Sequence, residues 1–134
     1  MAAAMVEVPA TVGFLRGDQN RQASFRRRLD VGPLRHLRLL GLLDRAGILQ
    51  RRRLSPEGAT AEEMVRLTEA LAVAGEPVIG ITFHSCTLLP GATPYVRSEA
   101  ERVDFLRRLD IVLRHCHQQG YPFITMREAA AVAT

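Results

Sequence analysis

Apolar and polar positions change period several times along the chain, and each change marks the edge of an element. Residues 5–15 form an apolar run interrupted by Pro9, which predicts an extended segment at a sheet edge or strand end, because proline cannot donate to a ladder. Residues 16–32 are polar, rich in arginine and without period, so a long loop or disordered connection is expected there. Pro33 then opens a helical pattern of Leu34, Leu37, Leu40 and Leu43 that stops before Gly47, predicting a helix over 33–46. Ser55-Pro56-Glu57-Gly58 is a turn signal.

The second half is punctuated more sharply. Thr60 and Glu63 make a capping box ahead of Met64, Leu67, Leu71 and Ala74, and Gly75 stands where the helix should end. Val78-Ile79-Gly80-Ile81-Thr82-Phe83 reads as a short strand buried on both faces, ending at His84. Pro90-Gly91 and Thr93-Pro94 make 85–97 a loop, and Ser98 with Glu101 is a second capping box. Val103, Leu106, Leu109, Leu113 and Cys116 are expected as the buried stripe of a long helix that stops at Gly120. Residues 121–126 read as a last strand and 127–132 as a short helix. The alternation of strand, loop, helix and strand belongs to a parallel α/β sheet or barrel.

Composition narrows the class. With 134 residues, 47% of them apolar and 24% charged, the chain suits one soluble globular domain, or a piece of one. All 18 basic residues are arginine. The first 53 positions hold eleven of them against four acids, a net +7, and the remainder holds seven against ten, a net −3. An anionic partner would therefore be met by the N-terminal part. No apolar run approaches the roughly 18 residues of a membrane span and no export signal is visible, so a cytoplasmic setting with no membrane partner is expected. In that setting Cys86 and Cys116, without framework spacing, are expected as reduced thiols.

Of the chemistry-bearing residues, His84 is the best placed. In parallel α/β folds functional groups gather where strands give way to loops, and an imidazole there can give or take a proton near neutral pH. His36 lies on an arginine-rich helix, and His115 and His117, two apart on a helix, point different ways. His84, Cys86 and Cys116 supply too few ligands for zinc. Ser85 and Cys86 lack an evident orienting acid. Tyr95 and Arg97 flank the loop after the expected strand and are candidates for contacting a polar substrate. Arg26-Arg27-Arg28 and Arg51-Arg52-Arg53 have no interleaved aromatics, so a solvated face ranks above nucleic-acid binding.

Ile81-Thr82-Phe83-His84, the Pro/Gly loop after it, and Pro94-Tyr95-Val96-Arg97-Ser98-Glu99 opening a long helix together resemble the polysaccharide deacetylases of the NodB-homology superfamily. Val6-Glu7-Val8-Pro9, Leu54-Ser55-Pro56-Glu57 and Tyr121-Pro122-Phe123-Ile124-Thr125 fall in the order of the last third of that barrel, so the resemblance covers nearly all of residues 1–134. It implies a partial (β/α) barrel lacking its N-terminal strands. It also implies metal-dependent hydrolysis of N-acetyl or related C–N bonds on a carbohydrate or small amide. The family's divalent metal, such as zinc, is implied to be held by an Asp and two His in upstream motifs, with an Asp base. This chain has no Asp-Asp pair, no His-x-x-x-His and no Arg-x-Pro-Tyr, so no cofactor site and no activity of its own are expected. What carries over is His84, matching the family's last motif, whose imidazole protonates the departing amine; Thr82 stands where an aliphatic residue is usual. Two other readings stand beside this one: a basic module for nucleic acid or another anionic polymer, and a subunit that completes a barrel with a partner or by self-association.

Overall fold

A computed structural model describes residues 7, 8, 10–31 and 39–132. The expectations that fall on Pro9, Pro33, Leu34, His36 and Leu37 lie outside the described residues. Strand β1 (Val12–Phe14) pairs antiparallel with β2 (Arg51–Arg53), with Gly13 opposite Arg52. Helices α1 (Gln19–Leu29) and α2 (Leu39–Arg45) lie between them. After β2 come α3 (Ala61–Val73), a 3-10 turn (Ser85–Leu88), α4 (Glu99–Gln118) and α5 (Met126–Val132).

The two long helices begin and end where local chemistry dictates. Thr60 Oγ1 accepts from the Glu63 N–H and the Glu63 carboxylate accepts from the Thr60 N–H, so two orphan donors at the start of α3 are satisfied together. At its end Gly75, at φ 77°, lets the Glu76 N–H reach the Leu71 carbonyl and its own N–H reach that of Ala72. Gly120 closes α4 the same way, with Tyr121 N–H on Cys116 O and its own on His117 O.

The core lies where α3 and α4 meet β1 and the chain after β2. Leu15, Leu54, Ala59, Met64, Leu67, Leu71, Val112 and Cys116 form one buried cluster, edged by Ile79, Ile81 and Tyr121. Each fully buried Leu or Met there contributes on the order of 2–3 kcal/mol. Gly13 allows α3 to approach β1: a Cβ at this position would stand 2.9 Å from Leu67 Cδ1 and 3.1 Å from Leu71 Cδ2.

Three local expectations differ from the structure. The loop expected over 16–32 contains α1, capped by Asp18 accepting from the Arg21 N–H, yet this helix buries no residue, which is why no apolar period announces it. The stripe expected on α4 is rotated. Phe105, Val112 and Cys116 are buried while Val103, Leu106 and Leu113 are exposed, because the apolar arc of α4 is wider than α3 covers. The runs 78–83 and 121–125 carry no strand ladder; among the described residues the ladder is β1–β2 alone. Residues 78–83 are tied by Thr82 N–H to Leu54 O and by Gly80 N–H to Thr11 Oγ1, and Pro77 and Pro122 remove donors at the start of each run. Leu54 also donates its N–H to Thr11 O, so it joins two extended segments to the end of β2.

Among the described residues no helix is long and apolar enough to cross a membrane.

Candidate active site

Two loops, both resting on α4, bring the candidate groups together. The first follows β2, where Ser55 organises a tight turn. Its Oγ accepts from the Glu57 N–H at 3.3 Å and its carbonyl accepts from the Ala59 N–H at 3.1 Å. Arg108 of α4 closes this turn from below, its Nη1 donating to the carbonyls of Pro56 at 2.6 Å and Ala59 at 3.2 Å. The second loop follows residues 78–83. Phe83 meets Phe105 of α4 edge to face, with ring centroids 5.4 Å apart and planes at 77°, and the Arg108 guanidinium lies 5.9 Å from the centre of the Phe105 ring. Immediately after Phe83 the backbone turns into the 3-10 segment, with Thr87 N–H on the His84 carbonyl.

The product of these two anchorages is a histidine–carboxylate pair. His84 Nδ1 stands 2.9 Å from Glu57 Oε2 and 3.1 Å from Oε1, while the His84 backbone N–H donates to Oε1 at 2.8 Å. Thr87 Oγ1, itself buried, donates to the same Oε1 at 2.6 Å. Burial alone would raise the Glu57 carboxyl above its ordinary value, but the Thr87 hydroxyl, the His84 N–H and the His84 ring outweigh it, and the net shift is downward. Glu57 is therefore ionised at neutral pH and accepts only, so the proton between the two side chains belongs to Nδ1. The Glu57 side chain is 6% exposed and that of His84 62%. A buried carboxylate thus orients an imidazole whose other nitrogen, Nε2, has no hydrogen-bond partner among the described residues.

The remaining sequence candidates divide. Tyr95 shares a cavity of about 120 Å³ with Arg53, Ser55, Glu57 and Gly58, so it adjoins the pair. The loop that carries it is pinned by Gly91 N–H on Val96 O, with Gly91 at φ 86°. Arg97 does not line this cavity; its backbone N–H donates to Glu101 ahead of α4. Ser85 and Cys86 lie exposed in the 3-10 turn beside His84, whereas Cys116 is in the core, where burial pushes its thiol up. His115 Nε2 lies 3.3 Å from Glu69 Oε1, linking α4 to α3.

Glu57 is the residue the sequence reading missed. It was legible only as part of a turn, since its partner lies 27 positions away. An acid in a turn that follows one extended run, with a histidine ending the next, was the available signal.

The donor set does not fit a divalent metal. Among the described residues no three of His, Cys, Asp and Glu converge, and the Glu57 oxygens are occupied by His84 and Thr87.

Comparison of the chain with family models, curated proteins and solved structures gives no match.

Proposed function

We propose that this chain supplies the proton-donating corner of a hydrolase that cleaves an N-acetyl or related C–N bond on a carbohydrate or small amide, in the manner of the polysaccharide deacetylases it resembles. The observation that carries the reading is the His84–Glu57 pair: a buried, ionised carboxylate on Nδ1 and an exposed Nε2. Glu57 fixes the Nδ1–H tautomer and the orientation of the ring, so Nε2 is the nitrogen left to take up a proton and pass it to the amine nitrogen as the C–N bond breaks. A divalent metal, bound by residues other than those described, would supply the activated water in the family's chemistry. The alternation of extended runs and helices supports a partial barrel, because α3 and α4, which connect successive runs, bury their faces in one common core.

The test is kinetic. In this chain joined to the upstream Asp-Asp and His-x-x-x-His segments that the reading implies, acetate release from N-acetylglucosamine oligomers is measured. His84→Ala lowers turnover about 10²- to 10⁴-fold, the usual contribution of a positioned general acid, with metal content unchanged. Turnover within tenfold of the parent at equal thermal stability overturns the reading.

One observation favours a second reading, a basic surface for an anionic polymer. Arg21, Arg26, Arg27 and Arg28 of α1 take part in no ion pair among the described residues, and Phe25 is exposed beside them. Binding of a single-stranded oligonucleotide that weakens steeply with salt and is lost with Arg26, Arg27 and Arg28 replaced by Gln decides it.

A further inference from the structure

Strand β2 places three arginines in a row, and their surroundings are unequal. Arg52 is doubly committed, with Nη1 2.7 Å from Asp44 Oδ1 and Nε 2.8 Å from Glu63 Oε1. Arg53, the next residue, projects from the opposite face of the strand and has no ion pair among the described residues. It lines the cavity of about 120 Å³ whose other walls are Ser55, Glu57, Gly58 and Tyr95.

The hydrogen-bonding character of this cavity is lopsided. Its one carboxylate, Glu57, is already taken by three donors from His84 and Thr87. The Ser55 hydroxyl accepts from the Glu57 N–H and has its own proton left to give. The Tyr95 hydroxyl and the Arg53 guanidinium have no partner among the described residues. What remains unpaired are the Ser55 and Tyr95 hydroxyl protons and the Arg53 guanidinium, the last beside a Glu57 carboxylate whose charge is already engaged by His84 and Thr87. Such a lining suits a ligand that is all acceptor and negatively charged, and guanidinium holds carboxylate and phosphate in a two-pronged geometry. The volume is well below the roughly 300 Å³ at which pockets begin to enclose a whole small molecule, so it admits one substituent and not a sugar ring.

The geometry points to this cavity as a subsite for an anionic substituent, a carboxylate or a phosphate, on the substrate, with Arg53 as the residue that selects it. The inference rests on the hydrolase reading for the identity of the molecule that carries the substituent. Glu57 forms the shared wall between the subsite and His84, so an acidic sugar anchored by Arg53 lies next to the imidazole. Arg53 is thus a specificity residue, and uronic-acid-containing or phosphorylated N-acetyl glycans are the substrate class.

The experiment is a binding titration on the full 134-residue chain followed by heteronuclear NMR, with three probes: glucuronate, N-acetylglucosamine 6-phosphate and N-acetylglucosamine. Expected are shifts at Gly58, Tyr95 and the Arg53 side chain with one or both acidic sugars, at an affinity at least tenfold above that for the neutral sugar. Which acid binds tighter separates carboxylate from phosphate. Arg53→Gln removes the preference without changing the melting temperature, since Arg53 is exposed and unpaired; Arg53→Lys restores part of it. Equal binding of neutral and acidic sugars overturns the inference, as does a preference that survives Arg53→Gln or shifts confined to α1. The two proposals fail separately. An acid preference at Arg53 with no kinetic effect of His84→Ala sinks only the hydrolase, and the converse sinks only the subsite.

Discussion

The turn around Glu57 and helix α1 both carry charge, yet the two are held by opposite means. Around Glu57, bonds within the turn are joined by partners from other elements. Arg108 comes from α4, His84 and Thr87 from the following loop, and Arg52 ties Asp44 to Glu63 close by. Helix α1 has four arginines, no buried residue and a single side-chain cap at Asp18. Charge alone therefore says little about role. What distinguishes an ordered polar cluster is that its groups are desolvated and paired at long range, which fixes geometry, whereas solvated arginines leave geometry free.

If this contrast is right, removing what underlies the Glu57 turn should cost far more than altering α1. The largest effect is expected for Phe105→Ala, which deletes a fully buried ring under Phe83 and beside Arg108. It should cost about 3–5 kcal/mol in urea unfolding, and a loss below 1 kcal/mol would mean that α4 does not support the two loops.

Next comes Glu57→Gln, which leaves His84 Nδ1–H and the Thr87 hydroxyl facing a neutral amide. A loss of about 1–3 kcal/mol is expected. It also carries a pH signature. Because the Glu57 carboxyl is held below its ordinary value, its stabilisation is complete above about pH 4.3 and disappears as pH falls through the lower, folded-state value. Melting temperatures taken between pH 6 and 2.5 should thus converge for the parent and Glu57→Gln at the acid end. Curves that stay parallel would show that the carboxylate is not engaged as described.

Thr60→Ala, which removes half of the capping box of α3, should cost about 1 kcal/mol. The smallest effect, within about 0.5 kcal/mol, is expected on replacing Arg26, Arg27 and Arg28 together by Gln. A loss comparable to that of Glu57→Gln would abolish the distinction between the two regions.

How much of this was legible in the sequence follows the same divide between short and long range. The starts of α3 and α4 were readable from Thr60, Glu63, Ser98 and Glu101, and their ends from Gly75 and Gly120, because each signal acts across a few residues. Helix α1 was not, since Asp18 caps it without any apolar period behind it. The buried face of α4 was misjudged because Leu106 and Leu113 are as apolar as Phe105 and Val112, and only the position of α3 decides between them. Of the candidates His84, Tyr95 and Arg97, all singled out by their place beside a loop, Tyr95 lines the cavity next to the His84–Glu57 pair and Arg97 does not. Glu57 was read only as part of a turn and Arg53 only as part of an arginine run, because the cavity they share is assembled from segments brought together by folding.

Phe105 and Arg108 are three residues apart on α4, a rise of about 4.5 Å. One carries the ring under the residue before His84 and the other grips the carbonyl of the residue before Glu57. The gap between imidazole and carboxylate is consequently gauged by the pitch of a helix and not by either loop. The helix acts as a ruler. Insertions in the 89–95 segment would leave the gauge untouched, whereas a single residue inserted between Phe105 and Arg108 would turn one support about 100° away from the other and uncouple the pair.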